Sequence, residues 1–194
     1  MPLRERKIEF HQVLKEDGSV HSHQWTDLPL SCAKDLSVEQ VVKRYLTYLR
    51  DCTFSLVRPQ YRDEGLALCF LGMPLIGFCL PMIKSANSTT SADLFINGGL
   101  LVQRDSCNRG QLRFTVSGPF ENRIRIEVRL SDYCPLLLGN RTPTRFRKWL
   151  YHITQSTIHK IVTVRFLARL YEELTGVRPP INVIKNNLPG SEDI

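Results

Sequence analysis

The chain has 194 residues, 42% apolar and 23% charged, which is long enough to bury a substantial core and excludes a disordered or collagen-like chain. The net charge of +7 lies wholly in the second half: residues 1–97 carry 11 basic and 11 acidic side chains, residues 98–194 carry 15 against 8. The charges come in ones and twos, without a run of five, and aromatic residues do not interleave with them, so they read as solvated surface and disfavour a nucleic-acid partner.

The N-terminal stretch MPLRERKIEF has no apolar core and does not read as a secretory signal. Arg6 to Leu14 alternates charge and bulk around Ile8 and Phe10. Lys15-Glu16-Asp17-Gly18 predicts a tight turn, and Val20 to Trp25 the returning strand of a hairpin. In that hairpin His21 and His23 share a face, with His11 opposite on the partner strand. No helper carboxylate is specified, so the trio reads as solvent-facing and no metal is expected.

Ser37 predicts a helix cap. Glu39 and Gln40 follow it, and Val38, Val41, Val42, Tyr45, Leu46 and Leu49 form an apolar stripe to about Asp51. Phe54, Leu56 and Val57 suggest a short buried element. Leu66 to Ile83 is long, apolar and uncharged, but Gly72, Pro74, Gly77 and Pro81 break it. It reads as two short buried or half-buried segments joined by a turn, and no stable membrane insertion is expected.

Lys84 to Thr90 is polar and turn-like, Ala92 to Ile96 a strand, Asn97-Gly98-Gly99 a turn or bulge, and Leu100 to Arg104 another short strand. Two segments alternate most cleanly. Leu112, Phe114 and Val116 oppose Arg113 and Thr115; after a turn at Gly118-Pro119, Ile124, Ile126, Val128 and Leu130 oppose Arg125, Glu127 and Arg129. Such alternation predicts an antiparallel sheet with one wet face, where Arg113, Arg123, Arg125 and Arg129 sit.

Thr144 to Thr175 contains neither Gly nor Pro. Apolar residues recur at helical spacing: Phe146, Trp149, Leu150, Ile153, Ile161, Val164, Ala168 and Tyr171, widened by Leu167, Leu170 and Leu174 on one side. Pro143 suits the first turn and Gly176 the stop. A helix of this length spans about 48 Å, and its drifting apolar positions favour packing across a sheet over a coiled coil. His152 and His159 fall on its wet side. Thr157 falls on the inner face as a core hydroxyl or a polar contact in a cavity. Residues 1–176 are expected to form one domain, with 177–194 a partly disordered tail.

The six cysteines, Cys32, Cys52, Cys69, Cys79, Cys107 and Cys134, form no CxxC pair. They read as buried free thiols in a reducing, cytoplasmic compartment, with Cys69 and Cys79 in apolar surroundings. The glycosylation pattern at Asn87-Ser88-Thr89 is then a chance match. No nucleophile elbow, phosphate-binding loop, zinc-protease motif or dinucleotide fingerprint is present, and no catalytic residue is assigned.

The order of elements is α+β: hairpin, helix, antiparallel strands, long C-terminal helix. Together with INGGLLVQRD (residues 96–105), GQLRFTV (110–116) and YHITQSTIHKIVTVRFLARLYEEL (151–174), it resembles the START-like helix-grip superfamily, most closely its small bacterial members. Coverage runs from about residue 5 to 176. The resemblance implies a curved antiparallel sheet around the long helix, enclosing a cavity suited to a hydrophobic molecule such as a lipid or polyketide. The oxygenase branch of that superfamily needs two histidines and a carboxylate on iron. That triad is not matched by His11, His21, His23, His152 or His159, so no metal or other cofactor is carried over. The residues expected to line the cavity are Phe146, Leu150, Ile153, Thr157 and Ile161 of the helix, with Tyr133 as a polar donor. The function expected is small-molecule binding. The alternatives are an enzyme of the same fold acting on a hydrophobic substrate, and an interaction protein whose long helix pairs with a second copy as a homodimer.

Overall fold

The N-terminal hairpin forms as its alternation requires. In the computed structural model, which describes residues 6–15, 19–63, 65–103, 110–135, 157–178 and 181–185, β1 (Arg6–Leu14) pairs antiparallel with β2 (Val20–Pro29). Buried and half-buried residues alternate along the whole of β2, with the even-numbered ones facing the core. A single turn, α1 (Leu30–Ala33), leads to α2 (Val38–Cys52). Ser37 starts α2 with a reciprocal pair of hydrogen bonds: the Gln40 amide donates to Ser37 Oγ at 3.3 Å, and the Ser37 amide to Gln40 Oε1 at 3.2 Å. The six apolar residues named above for this helix are all buried.

The strands β3 (Val57–Arg62), β4 (Gly65–Phe70), β5 (Met73–Cys79), β6 (Met82–Ala86), β7 (Thr89–Gly98), β8 (Gln111–Phe120) and β9 (Arg123–Tyr133) follow. The helix α3 (Thr157–Thr175) and β10 (Ile181–Lys185) complete the chain order. One sheet runs β10-β1-β2-β9-β8-β7-β5-β4-β3 and is curved and open. Every pairing is antiparallel except β1 with β10. The sheet forks at β7, whose first half pairs with β6 and whose end pairs with β5. The edge strand β3 carries Pro59 at its middle, and a proline without N–H is tolerated only where one side of a strand is unpaired.

Both main helices cover the concave face. α2 lies against β7, β8 and β3; α3 crosses β1 and β2 and touches α2. Register places Phe10, Gln24, Val128, Phe114 and Ala92 in one inward row across five strands, all of them buried. The opposite face carries the arginines, and the acids beside them balance their charge. Arg125 donates to Asp27 through Nε at 2.7 Å and Nη2 at 3.0 Å, and Arg113 holds Asp93 in the same two-pronged way.

Several expectations change. Phe54 is 89% exposed and Leu56 is also exposed, because the chain turns there through positive φ at Phe54 and Ser55 and lifts both side chains off the core. Lys84 to Ala86 belong to β6, so the turn shrinks to Asn87 and Ser88. β6 is exposed along its length, and among the described residues no helix packs on it. Leu100 to Gln103 form only an isolated bridge, between Val102 and Pro135. Gly118 and Pro119 lie within β8 as a register shift, and the chain reverses at Glu121-Asn122. Cys79 is exposed at the end of β5, while Cys69 and Cys134 are buried thiols. Residues 181–185, within the expected C-terminal tail, form a sheet strand beside β1. Among the described residues no helix is long and apolar enough to cross a membrane. The expected first part of the long helix, residues 144–156, lies outside the described residues.

Candidate functional site

A hollow of about 210 Å³ lies where α2, α3 and the forked part of the sheet meet. Its described walls are Tyr45 and Leu49 of α2, Val162 of α3, Gln12 and Val20 of the hairpin, and Leu112 and Leu130 at the centre of the sheet. Leu68, Ile76, Phe78, Ile96, Leu101 and Tyr133 close the side toward β4 and β5. The fork explains its position. Gly99 has φ +124° and runs so close to β5 that a Cβ there would stand 2.4 Å from the Leu75 carbonyl oxygen. The amides of Leu100 and Leu101 then donate to the Pro74 and Leu75 carbonyls at 2.9 Å each, folding Leu101 over the hollow.

The described lining holds no charged residue, and three polar ones. The Tyr133 hydroxyl donates to the Leu101 carbonyl at 2.9 Å and so secures that flap. Gln12 is buried on β1, beside Ser22, which takes a 3.1 Å hydrogen bond from the buried Gln24 amide. The Tyr45 ring stands edge-on to Phe114 and Phe166, with centroids 5.1 and 5.0 Å away. Burial pushes the Tyr45 phenol up to about 12, with Thr163 as its polar neighbour pulling the other way, so the group stays a neutral donor. Thr163 is itself fully buried, yet its Oγ1 lacks a formed hydrogen bond, as does Gln24 Oε1.

Of the residues expected to line a cavity, Tyr133 stands on this wall. Ile161 does not: it is 41% exposed. The buried side of α3 is Thr163, Phe166, Leu167, Ala168 and Leu170, rotated toward the row that seemed only to widen the stripe. Apolar residues surround so much of this helix that spacing alone does not select a face; contact with β1, β2 and α2 does. Phe146, Leu150, Ile153 and the side chain of Thr157 lie outside the described residues, as do the side chains of His152 and His159. Gln12, Ser22, Gln24 and Thr163 were missed. For Gln12, Ser22 and Gln24 the available signal was the hairpin's own alternation, which puts them opposite the histidines; Thr163 lies on α3, where spacing gave no such signal.

Those histidines occupy the outer face, where each of two has a carboxylate partner. His23 Nε2 is 3.1 Å from Glu127 Oε2, and His21 Nε2 is 3.1 Å from Asp132 Oδ1. Hydrogen bonding to His23 holds the Glu127 carboxyl below its ordinary range against its partial burial. His11 pairs in register with His23 across the hairpin. Among the described residues no three His, Cys, Asp or Glu side chains are placed to hold a metal ion.

No family model and no curated protein matches this chain. A protein from Arthrobacter aurescens, solved in solution by NMR, is similar at 11% identity, over 82% of this chain and 91% of that one, with a TM-score of 0.37.

Proposed function

We propose that this chain binds a small apolar or amphipathic molecule in the hollow between α2, α3 and the sheet. One observation carries the reading: a space of about 210 Å³ walled almost entirely by Leu, Ile, Val, Phe and Tyr side chains, set against the buried core. Apolar cavities of about 150 Å³ stay dry and accept a benzene-sized ligand, and drug-sized sites begin near about 300 Å³. The size therefore fits one ring or a short chain, smaller than a whole membrane lipid. The helix-grip resemblance supports the same reading, since β2, the strand before the helices, lies beside β9, the last before α3, and α3 crosses their inner face.

Native mass spectrometry of the freshly purified chain, followed by solvent extraction, tests it directly. The expected result is a retained non-protein mass of small-molecule size, or, for an emptied protein, a rise in Tm with added toluene. A chain that carries nothing and whose Tm ignores toluene, indole and short-chain alcohols alike overturns the reading.

A further inference from the structure

Two turns at one end of the sheet hold bulky apolar side chains out in the solvent. Phe54 lies in the turn between α2 and β3, and Leu71 in the turn between β4 and β5; they are 89% and 75% exposed. Pairing of Val57 with Phe70, and of Phe70 with Met73, sets the two turns side by side. The Leu100 amide donates to the Pro74 carbonyl at 2.9 Å and brings another exposed leucine to the same end. Residues 52–57 and 65–83 carry no charged side chain. Folding does not call for bulk at these tips. Phe54 and Leu71 sit at φ +52° and +48°, the left-handed region that favours glycine and in which a bulky residue is an outlier. Glycine in either place would relieve both the backbone and the exposed apolar surface.

Behind the tips stands a basic collar. Arg58 Nε donates to the Ser55 carbonyl at 2.8 Å, which sets its guanidinium against the first turn. Arg50 and Arg169 share Asp51, at 3.3 and 4.0 Å. Glu173, the other partner of Arg169, is also held by Arg44 at 2.9 Å. Four arginines therefore face two carboxylates.

We propose that this end of the molecule docks on an anionic lipid surface, with Phe54 and Leu71 entering the boundary between headgroups and acyl chains and the arginines meeting the lipid anions. Charge selects the occupant. A second copy seated tip to tip would set one basic collar against another, whereas an anionic leaflet attracts it. Shape agrees. A fluid phase buries side chains on two projecting turns without a matching surface, while a stable protein partner needs a complementary interface of about 1,000 Å² or more. Docking does not depend on the hollow, although Leu101, next to Leu100, stands on its wall.

Flotation of the full chain with vesicles of phosphatidylcholine, with and without phosphatidylserine, is the test. The chain is expected to float with the mixed vesicles, to be released by added salt, and to bind the neutral vesicles far less. Phe54→Ser combined with Leu71→Ser is expected to weaken binding by about tenfold or more and to leave Tm unchanged. Ile83→Ser, at an exposed apolar position on β6, is the control expected to bind as the parent chain does. Phe54→Trp is expected to add emission that shifts to the blue when phosphatidylserine vesicles are present. Absence of flotation, equal flotation with neutral vesicles, binding that survives the double substitution, or Phe54→Trp emission that vesicles leave unchanged overturns the proposal. A chain that does not float, but forms a dimer by light scattering that the double substitution splits, also overturns it and makes the tips a contact between copies. Each of these results leaves the small-molecule reading of the hollow where it stands.

Discussion

Arg113 grips Asp93 with two hydrogen bonds, Nε to Oδ1 at 2.5 Å and Nη2 to Oδ2 at 3.1 Å, around a carboxylate with no exposed surface. Lys84 reaches the same Oδ2 at 3.1 Å from β6. Burial alone would raise the Asp93 pKa; the bonds and charges of Arg113 and Lys84 outweigh it and hold the group below its ordinary value. The pair joins β7 to β8, and Lys84 adds β6, the strand on which no described helix packs.

Arg113→Met is therefore expected to cost about 3 kcal/mol, the low end for breaking a buried pair, because Arg113 is partly solvated and Lys84 remains. Replacing both partners, Asp93→Leu with Arg113→Leu, is expected to recover most of that loss. Urea unfolding measures both, and a double variant as unstable as Arg113→Met alone would contradict the account.

Asp93, Glu127 and Asp132 all have lowered pKa values in the folded state. For Asp132, burial acts upward, and His21 and Lys15 overcome it. A carboxyl whose folded pKa lies below its unfolded one contributes stability above the unfolded value, and that contribution disappears as pH falls through the folded value. The Tm is expected to be level from about pH 7 to about pH 5 and to drop below about pH 4, where unfolded carboxylates protonate. Glu127→Gln should shallow the drop. An unchanged acid limb in Glu127→Gln would remove the His23 contact from the explanation.

Ile76→Phe tests whether the hollow is real space. Adding bulk to a packed core costs about 1–3 kcal/mol. At Ile76, on the wall, the expected change is within about 0.5 kcal/mol, together with loss of toluene binding. Leu94→Phe, in the packed interior of β7, is the control expected to show the full penalty. Equal destabilisation by both would mean that the wall cannot take the ring.

Gly99→Ala has nowhere to put its methyl, which would stand 2.4 Å from the Leu75 carbonyl oxygen and 2.7 Å from Ile76 Cα, both backbone atoms. The expected result is a loss of about 2–3 kcal/mol from backbone strain and displacement, with weakened ligand binding because Leu101 moves. Thermal unfolding alongside toluene titration reads both. Wild-type stability in this variant would show that the flap is free to shift.

Phe54, Leu71 and Met73 stand exposed near one end of β3, β4 and β5. Phe54→Ser and Leu71→Ser are expected to leave Tm within about 1 °C, since neither side chain is buried. They should also lower concentration-dependent light scattering if that end drives self-association. A fall in Tm of several degrees would place these side chains in the core, as first expected for Phe54.

Local physics made much of this protein legible from its residues. The hairpin, the Ser37-capped helix and the strands around Phe114 and Val128 follow from period-two and helical spacing, which depend only on neighbours in the chain. Spacing also separates the inner apolar rows from the arginines of the outer face. Which side of α3 is buried did not follow, because apolar residues cover most of its circumference and only contact with β1, β2 and α2 selects Thr163 and Leu167 over Ile161. The joining of residues 181–185 to β1, the forked end of β7 and the flap at Leu101 depend on pairings across long stretches of chain. The hollow depends on all of these, since it is the space left where Gly99 forces the chain against Leu75 and two helices meet a divided sheet. Composition could supply apolar walls and a few hydroxyls; tertiary packing alone decided that Tyr45 of α2 and Tyr133 of β9 would line one hollow.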